Sequence, residues 1–276
     1  MSKNKFKDEE DFKEIMTVDN TSEIQKFKQE IAGILKNDIK IIAKNDSQKK
    51  LINSIKNNEI SICAGRAGCG KTFVAVAYGL SLLRKTSNKF KKIYLVKSVT
   101  TLKGEEIGFI KGDWKEKVEP FMWSYYINME KLIFESTLKI LIDKDFIKPF
   151  PLAYMRGASL DNCIIIADEM QNVSLGNART LLTRIGSNCK LILLGDFNQI
   201  DIKEKNESSL KTLIEMFKDI ENIGVIEMSN SDTNVRNPLI DIIESKFNEI
   251  DEINKNKKTR KIPLVPKNEL KFDNVV

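Results

Sequence analysis

The chain of 276 residues contains no histidine. Imidazole acid–base catalysis and histidine-bound metals are therefore excluded. Cysteine is scarce, with four residues in all: Cys63, Cys69, Cys163 and Cys189. None of them forms a C-x-x-C pair, which argues against a zinc site. Cys63 and Cys163 lie inside apolar runs and Cys189 just before one, so these three are expected to be buried small residues. Cys69 falls in a glycine-rich segment; it is expected to be open to alkylation and to take no part in catalysis. No run of about 18 apolar residues occurs, and the N-terminal MSKNKFKDEEDFKEIM has no apolar signal segment. The expectation is a soluble chain with no membrane partner, in a reducing, cytoplasmic setting. Neither sign of charge dominates: the net charge of +6 permits contact with a polyanion without requiring it.

What the chain does have is enough apolar content, 41%, for one large domain with tails, or at most two domains. Its centre of gravity is Ser61 to Leu83, SICAGRAGCGKTFVAVAYGLSLL. Ile60 to Cys63 reads as a buried strand and Phe73 to Leu83 as a helix that is apolar nearly all round, as suits a helix packed under other layers. Between them, Gly65-Arg66-Ala67-Gly68-Cys69-Gly70-Lys71-Thr72 matches G-x-x-x-x-G-K-[ST] at every fixed position. Glycines let the backbone curl so that successive N–H groups point at phosphate oxygens. The helix beginning near Lys71 aims its free N–H groups and positive dipole end at the same anion. Lys71 has the reach for the β- and γ-phosphates, and the Thr72 hydroxyl can ligate Mg²⁺.

The second half of the site comes from Asn162 to Ala167, a continuous apolar run. Its lack of alternation predicts a strand buried on both faces, hence a mainly parallel sheet covered by helices. It ends in Asp168-Glu169. Asp168 at the strand's carboxyl end is placed to hold Mg²⁺, and Glu169 to accept a proton from an attacking water. Lys190 to Leu194 predicts another buried strand, followed by Gly195-Asp196-Phe197-Asn198-Gln199. Gln199 can position the water or sense the γ-phosphate.

The remaining segments fill in the frame. Glu23 to Ile42 shows helical spacing, with Ile24, Phe27, Ile31, Ile34 and Leu35 on one side, and reads as a solvated amphipathic cover or as a helix that docks on the core or on a neighbouring chain. A helix starts at Asp46 or Ser47 as N-cap and runs to about Asn57. Gln48 on it either hydrogen-bonds adenine or is a surface residue. Ile93 to Val96 is a strand, followed by Lys97-Ser98 and a long loop, Val99 to Asp113. Trp114 to Phe134 is helical, interrupted near Pro120; its aromatics, Phe121, Trp123, Tyr125 and Tyr126 among them, are core or base-stacking residues. Ile147 to Phe150 is a short strand, and Arg156 follows in an apolar loop. Ser174 to Ile185 and Ser208 to Phe217 are helices, and Gly224 to Met228 is a last strand. Arg236, in Asn234-Val-Arg-Asn-Pro238, opens a helix to about Phe247 and is an arginine finger or a structural ion pair. Three regions follow: a charged helical extension over 1–44, a P-loop domain over 45–250 and a basic polar tail over 251–276, solvated or in contact with nucleic acid.

In this order, GRAGCGKT, EEIGFIKGDWKEKVEPF, PLAYMRGASLDNCIIIADEMQN, LLTRIGSNCKLILLGDFNQID and NVRNPLI resemble the PhoH-like ATPase family over roughly residues 45 to 248. The resemblance implies a RecA-like P-loop NTPase core, similar to one motor domain of superfamily 1 helicases. It implies ATP and Mg²⁺ as cofactors, hydrolysis of ATP, action on single-stranded RNA and a homo-oligomer, commonly a hexameric ring. By motif, Gly65 to Thr72 would bind the phosphates, Asp168 and Glu169 would serve Mg²⁺ and water, Gln199 would sense the γ-phosphate, and Arg236 would be the motif arginine. Two departures stand out: Lys97-Ser98 where the family usually has Arg-Pro, and Asn237 after Arg236 where it usually has histidine. In ATPases with a glutamate after the Mg²⁺ aspartate, the strand of Lys190 lies between those of Ile60 and Ile164, and that order is expected here. A motor domain alone would need a neighbouring subunit to complete its site. An ATP-gated scaffold with slow hydrolysis is the main rival; a small-molecule kinase would need an arginine-rich lid, which is not evident.

Overall fold

A computed structural model describes residues 22–98, 114–152, 155, 157, 159–201 and 208–228, and most of 239–253. The first helix, α1, spans 22–34. It is shorter than its apolar spacing suggests: the helix stops just past Gly33, and Ile42 lies in irregular chain, exposed. Helix α2 (Asp46–Asn57) starts one residue from the expected cap, because the Asn45 side chain accepts from the Gln48 N–H. Strand β1 (Ile60–Ala64) runs into the glycine loop, and α3 (Lys71–Arg84) leaves it. Strand β2 (Lys92–Lys97) follows.

Helix α4 (Trp114–Glu130) passes through Pro120 without the expected interruption. It ends in a turn, and a separate helix that the apolar spacing does not single out, α5 (Glu135–Asp143), leads into β3 (Ile147–Pro149). Strand β4 (Cys163–Asp168) ends in a short 3-10 turn, Met170–Asn172. Then come α6 (Leu175–Leu182), β5 (Cys189–Gly195), α7 (Ser209–Phe217) and β6 (Ile223–Glu227). The described residues between 239 and 253 belong to a second unit and are helical.

The strands make one six-stranded sheet, ordered β3-β2-β4-β5-β1-β6, with every neighbouring pair parallel. As expected, β5 lies between β1 and β4. The β4 run explains its own composition. Ile164 and Ile166 pack with α1 to α5 on one face, while Cys163, Ile165 and Ala167 pack with α6 and α7 on the other. Both faces are covered, so alternation has nothing to alternate between. The chain is therefore an α/β P-loop NTPase fold. Its carboxyl edge gathers the ends of β1, β2, β4 and β5, with Lys97 beside Asp168 and Ala64 beside Gly195 in the register.

One expectation about a side chain changes, and one alternative is decided. Cys69 is buried like the other three cysteines, at 1% exposure. Tyr125 is a core residue whose hydroxyl lies 2.7 Å from Val96 O and 3.1 Å from Ile166 O, so it cannot stack on a base. Phe121 and Tyr126 pack against the same core, and Trp123 is exposed.

Candidate functional site

The loop between β1 and α3 turns on two glycines with left-handed backbones, Gly68 at φ 79° and Gly70 at φ 89°. Residues with a Cβ rarely adopt that conformation. Helix α3 has no side-chain cap and no acidic residue in its first turn, so its first N–H groups face the loop's concavity as anion donors. Lys71 is 8% exposed, and its ammonium donates to Gly65 O at 2.6 Å and Arg66 O at 3.0 Å, with Cys69 Sγ at 3.6 Å. Ala67 and Arg66 are partly exposed.

Gln48 braces this loop from α2. It is buried, accepts from Lys44 N–H at 2.8 Å and donates to Cys69 O at 2.9 Å. The surface reading of Gln48 is thereby excluded. Each end of its amide keeps one further hydrogen-bonding position.

The sheet edge brings the second motif onto the first. Thr72 Oγ1 donates to Asp168 Oδ2 at 2.8 Å, across 96 residues of sequence. Asp168 Oδ1 accepts from Glu169 N–H at 2.9 Å. Glu169 itself has a left-handed backbone, φ 61°, uncommon for a residue with a side chain. The turn takes the chain out of β4 and leaves the carboxylate partly exposed at the edge. Burial, and then the Asp168 carboxylate, push the Glu169 carboxyl above its ordinary 4.5, while the Gln171 amide and the ammonium groups of Lys97 and Lys71 oppose the shift. Lys97 Nζ sits 4.0 Å from Glu169 Oε1 and 3.1 Å from Ser124 Oγ.

Gln199 lies on the loop after β5, exposed, with its N–H 3.3 Å from Asp196 O. Gln171 was not among the expected site residues. It is fully buried, and its amide touches Glu169 Oε2, Gln199 O and Asp196 N–H. The signal lay in the run Asp-Glu-Met-Gln, where a polar residue two places past the base reads as surface until the turn folds it inward. Asn172 and Asp201 likewise bond each other, Asp201 N–H to Asn172 Oδ1 at 2.7 Å. Arg236, Arg156, the Trp114 side chain and the loop 99–113 lie outside the described residues.

Comparison with known proteins follows the same segments. A family model described as "PhoH-like protein" matches residues 40–248. A PhoH-like protein of Bacillus subtilis (strain 168) is 36% identical over 200 residues, 72% of this chain and 61% of the relative. One from Synechocystis sp. is 33% identical over 205 residues, 74% of this chain and 61% of the relative. The chain thus spans about three fifths of the length of these curated relatives. Among solved structures, the large terminase of a thermophilic bacteriophage aligns with a TM-score of 0.41 at 11% identity, covering 72% of this chain and 48% of that one.

Proposed function

This chain belongs to the PhoH-like protein family, and from that premise we propose that it is an Mg²⁺-dependent ATP hydrolase acting on single-stranded RNA as a ring of identical subunits. The observation that carries the reading is the Thr72–Asp168 hydrogen bond of 2.8 Å. It joins the last residue of the phosphate loop to the carboxylate at the end of β4. A hydroxyl and a carboxylate are hard oxygen donors of the kind Mg²⁺ takes.

The residues divide the work. The loop Gly65 to Gly70 and the uncapped start of α3 bind the triphosphate through backbone N–H groups. Lys71 exchanges its two loop carbonyls for phosphate oxygens. Thr72 and Asp168 would hold Mg²⁺, which supplies charge neutralisation on the phosphates. Glu169 accepts the proton of the attacking water, and its raised pKa suits a base. Gln199 reports the γ-phosphate, and Arg236 neutralises charge as the phosphate leaves. Gln48 contacts adenine with the one N–H and one lone pair that its loop bonds leave over. The net charge of +6 is compatible with an RNA partner.

The test is Mg²⁺-dependent ATP hydrolysis with and without single-stranded RNA, beside Lys71→Ala and Glu169→Gln. Glu169→Gln is expected to lower kcat by about 10²- to 10⁴-fold while ATP still binds. Lys71→Ala is expected to weaken binding as well. RNA is expected to raise turnover. Activity unchanged in both variants would sink the site assignment, and tight ATP binding with negligible turnover would turn the reading to a nucleotide-gated scaffold.

A further inference from the structure

The side chain of Gln171 has 0% exposure and makes three hydrogen bonds, all to groups at the sheet edge. Its Nε2 donates to Glu169 Oε2 at 2.6 Å and to Gln199 O at 3.0 Å. Its Oε1 accepts from Asp196 N–H at 2.9 Å. The orientation of the amide follows from these partners. Turned over, it would set an oxygen against a carboxylate and a carbonyl, and an NH₂ against an N–H. Both of its N–H donors are therefore committed to one geometry.

Gly195 makes room for this arrangement. A Cβ there would fall 2.8 Å from Gln171 Oε1 and 2.7 Å from Leu210 Cδ2. Gly195 O in turn accepts from Gly65 N–H at 3.0 Å. A continuous chain of contacts thus runs from the phosphate loop through Gly195 and Asp196 to Gln171 and Glu169. Of the two Glu169 carboxylate oxygens, Oε2 is held by Gln171. Among the described residues, Oε1 takes no hydrogen bond and has Lys97 Nζ at 4.0 Å as its ion-pair partner, so it is the oxygen left to take a proton.

We propose that Gln171 is a positioning residue: it fixes the Glu169 carboxylate with Oε1 turned outward, and ties that orientation to the loop Asp196–Gln199. A displacement of Gln199 is transmitted to the base through one shared NH₂ group. This rests on the hydrolase reading of the site. It predicts that the loop tip and the base move together, so that sensing the γ-phosphate and activating water are one event.

The test uses Gln171→Met, which keeps most of the volume and removes all three hydrogen bonds. Gln171→Glu keeps the acceptor for Asp196 N–H and removes the donor to Gln199 O, leaving at most one proton shared with the Glu169 carboxylate, and it carries the test if the methionine variant does not fold. For either variant kcat is expected to fall by about 10- to 100-fold, with ADP affinity unchanged. Placed in a Glu169→Gln background, the substitution is expected to cost no further kcat, since it acts through Glu169. In Gln171→Met, amide hydrogen exchange at Asp196 is expected to speed up; in Gln171→Glu it is not. Loss of kcat and ADP affinity together, or a full second loss in the Glu169→Gln background, would reduce Gln171 to a packing role and overturn the proposal. So would an unchanged kcat in a folded variant. Wild type without any ATP hydrolysis would overturn the hydrolase reading itself, and that outcome is read from the control alone.

Discussion

Glu169 and Gly195 show how much of this site depends on single backbone positions. Glu169 must leave the strand in a left-handed turn, φ 61°, and Gly195 must bring no side chain, because Gln171 and Leu210 already fill the space. Gly195→Ala should therefore destabilise the fold by about 1–3 kcal/mol, the usual range for overpacking. It should also lower kcat by displacing Gln171. Urea denaturation and steady-state kinetics on the same preparation would check both effects. If Gly195→Ala matched wild type in stability and kcat, the packing of Gln171 against β5 would have no functional weight. At this scale the sequence was legible where residue type dictates position: the Thr72 hydroxyl reaches Asp168, and the Lys71 ammonium lies against the loop carbonyls of Gly65 and Arg66. Gln171 and the buried Cys69 were not legible, because polarity and glycine neighbours say nothing about which way a turn folds its side chains.

Among the elements, α1 docks on the core, one of the roles its spacing allows. Its Ile31, and Leu35 just past its end, join the cluster that holds residues of α3 and α4. Lys28, 1% exposed, donates to Leu83 O at 2.6 Å and Phe90 O at 2.8 Å. The ammonium thus sits on the Leu83 carbonyl in the last turn of α3, the negative end of that helix, and on the Phe90 carbonyl shortly before β2. Burial nevertheless lowers its pKa from 10.5 to about 8. Between those two values the unfolded chain binds more protons than the folded one, so this group's contribution to stability rises with pH. Below about pH 8 the cost of burying the charge is present in full. Wild type should therefore gain stability relative to Lys28→Met on going from pH 7.5 to pH 9.5, as read by chemical denaturation at each pH. A constant difference between the two proteins would mean that Lys28 is not desolvated in solution. The apolar spacing of α1 was readable, but its end was not: Ile39 and Ile42 extend the pattern past the point where Gly33, Asn37 and Asp38 break the helix. Helix α5 went unread because the apolar run Leu132-Ile133-Phe134 looks like the end of α4. The strands read most clearly, since burial on both faces leaves short continuous apolar runs that would not suit an exposed element.

For the whole molecule, the described residues hold one parallel sheet with one phosphate loop at its carboxyl edge. The fold brings Glu169, Thr72, Asp168 and Lys71 to that edge. Among the described residues outside the loop itself, it brings no arginine hydrogen-bonded to Asp168, Glu169 or Lys71. Arg236 lies outside the described residues; in the proposed ring it acts either on its own subunit or on the next. The two cases separate by mixing. Arg236→Ala and Glu169→Gln should each be nearly inactive alone while still binding ATP. If the arginine acts across an interface, a 1:1 mixture allowed to exchange subunits contains interfaces where Glu169 of one variant meets Arg236 of the other. About a quarter of wild-type turnover should then return, the random share of such pairings around a heterologous ring. If the arginine acts within its own subunit, every subunit in the mixture lacks one group and no turnover returns. The sedimentation coefficient of wild type with ATP and Mg²⁺ fixes the ring's existence separately. A monomer under those conditions would remove the ring from the proposed function and leave the P-loop site to work alone.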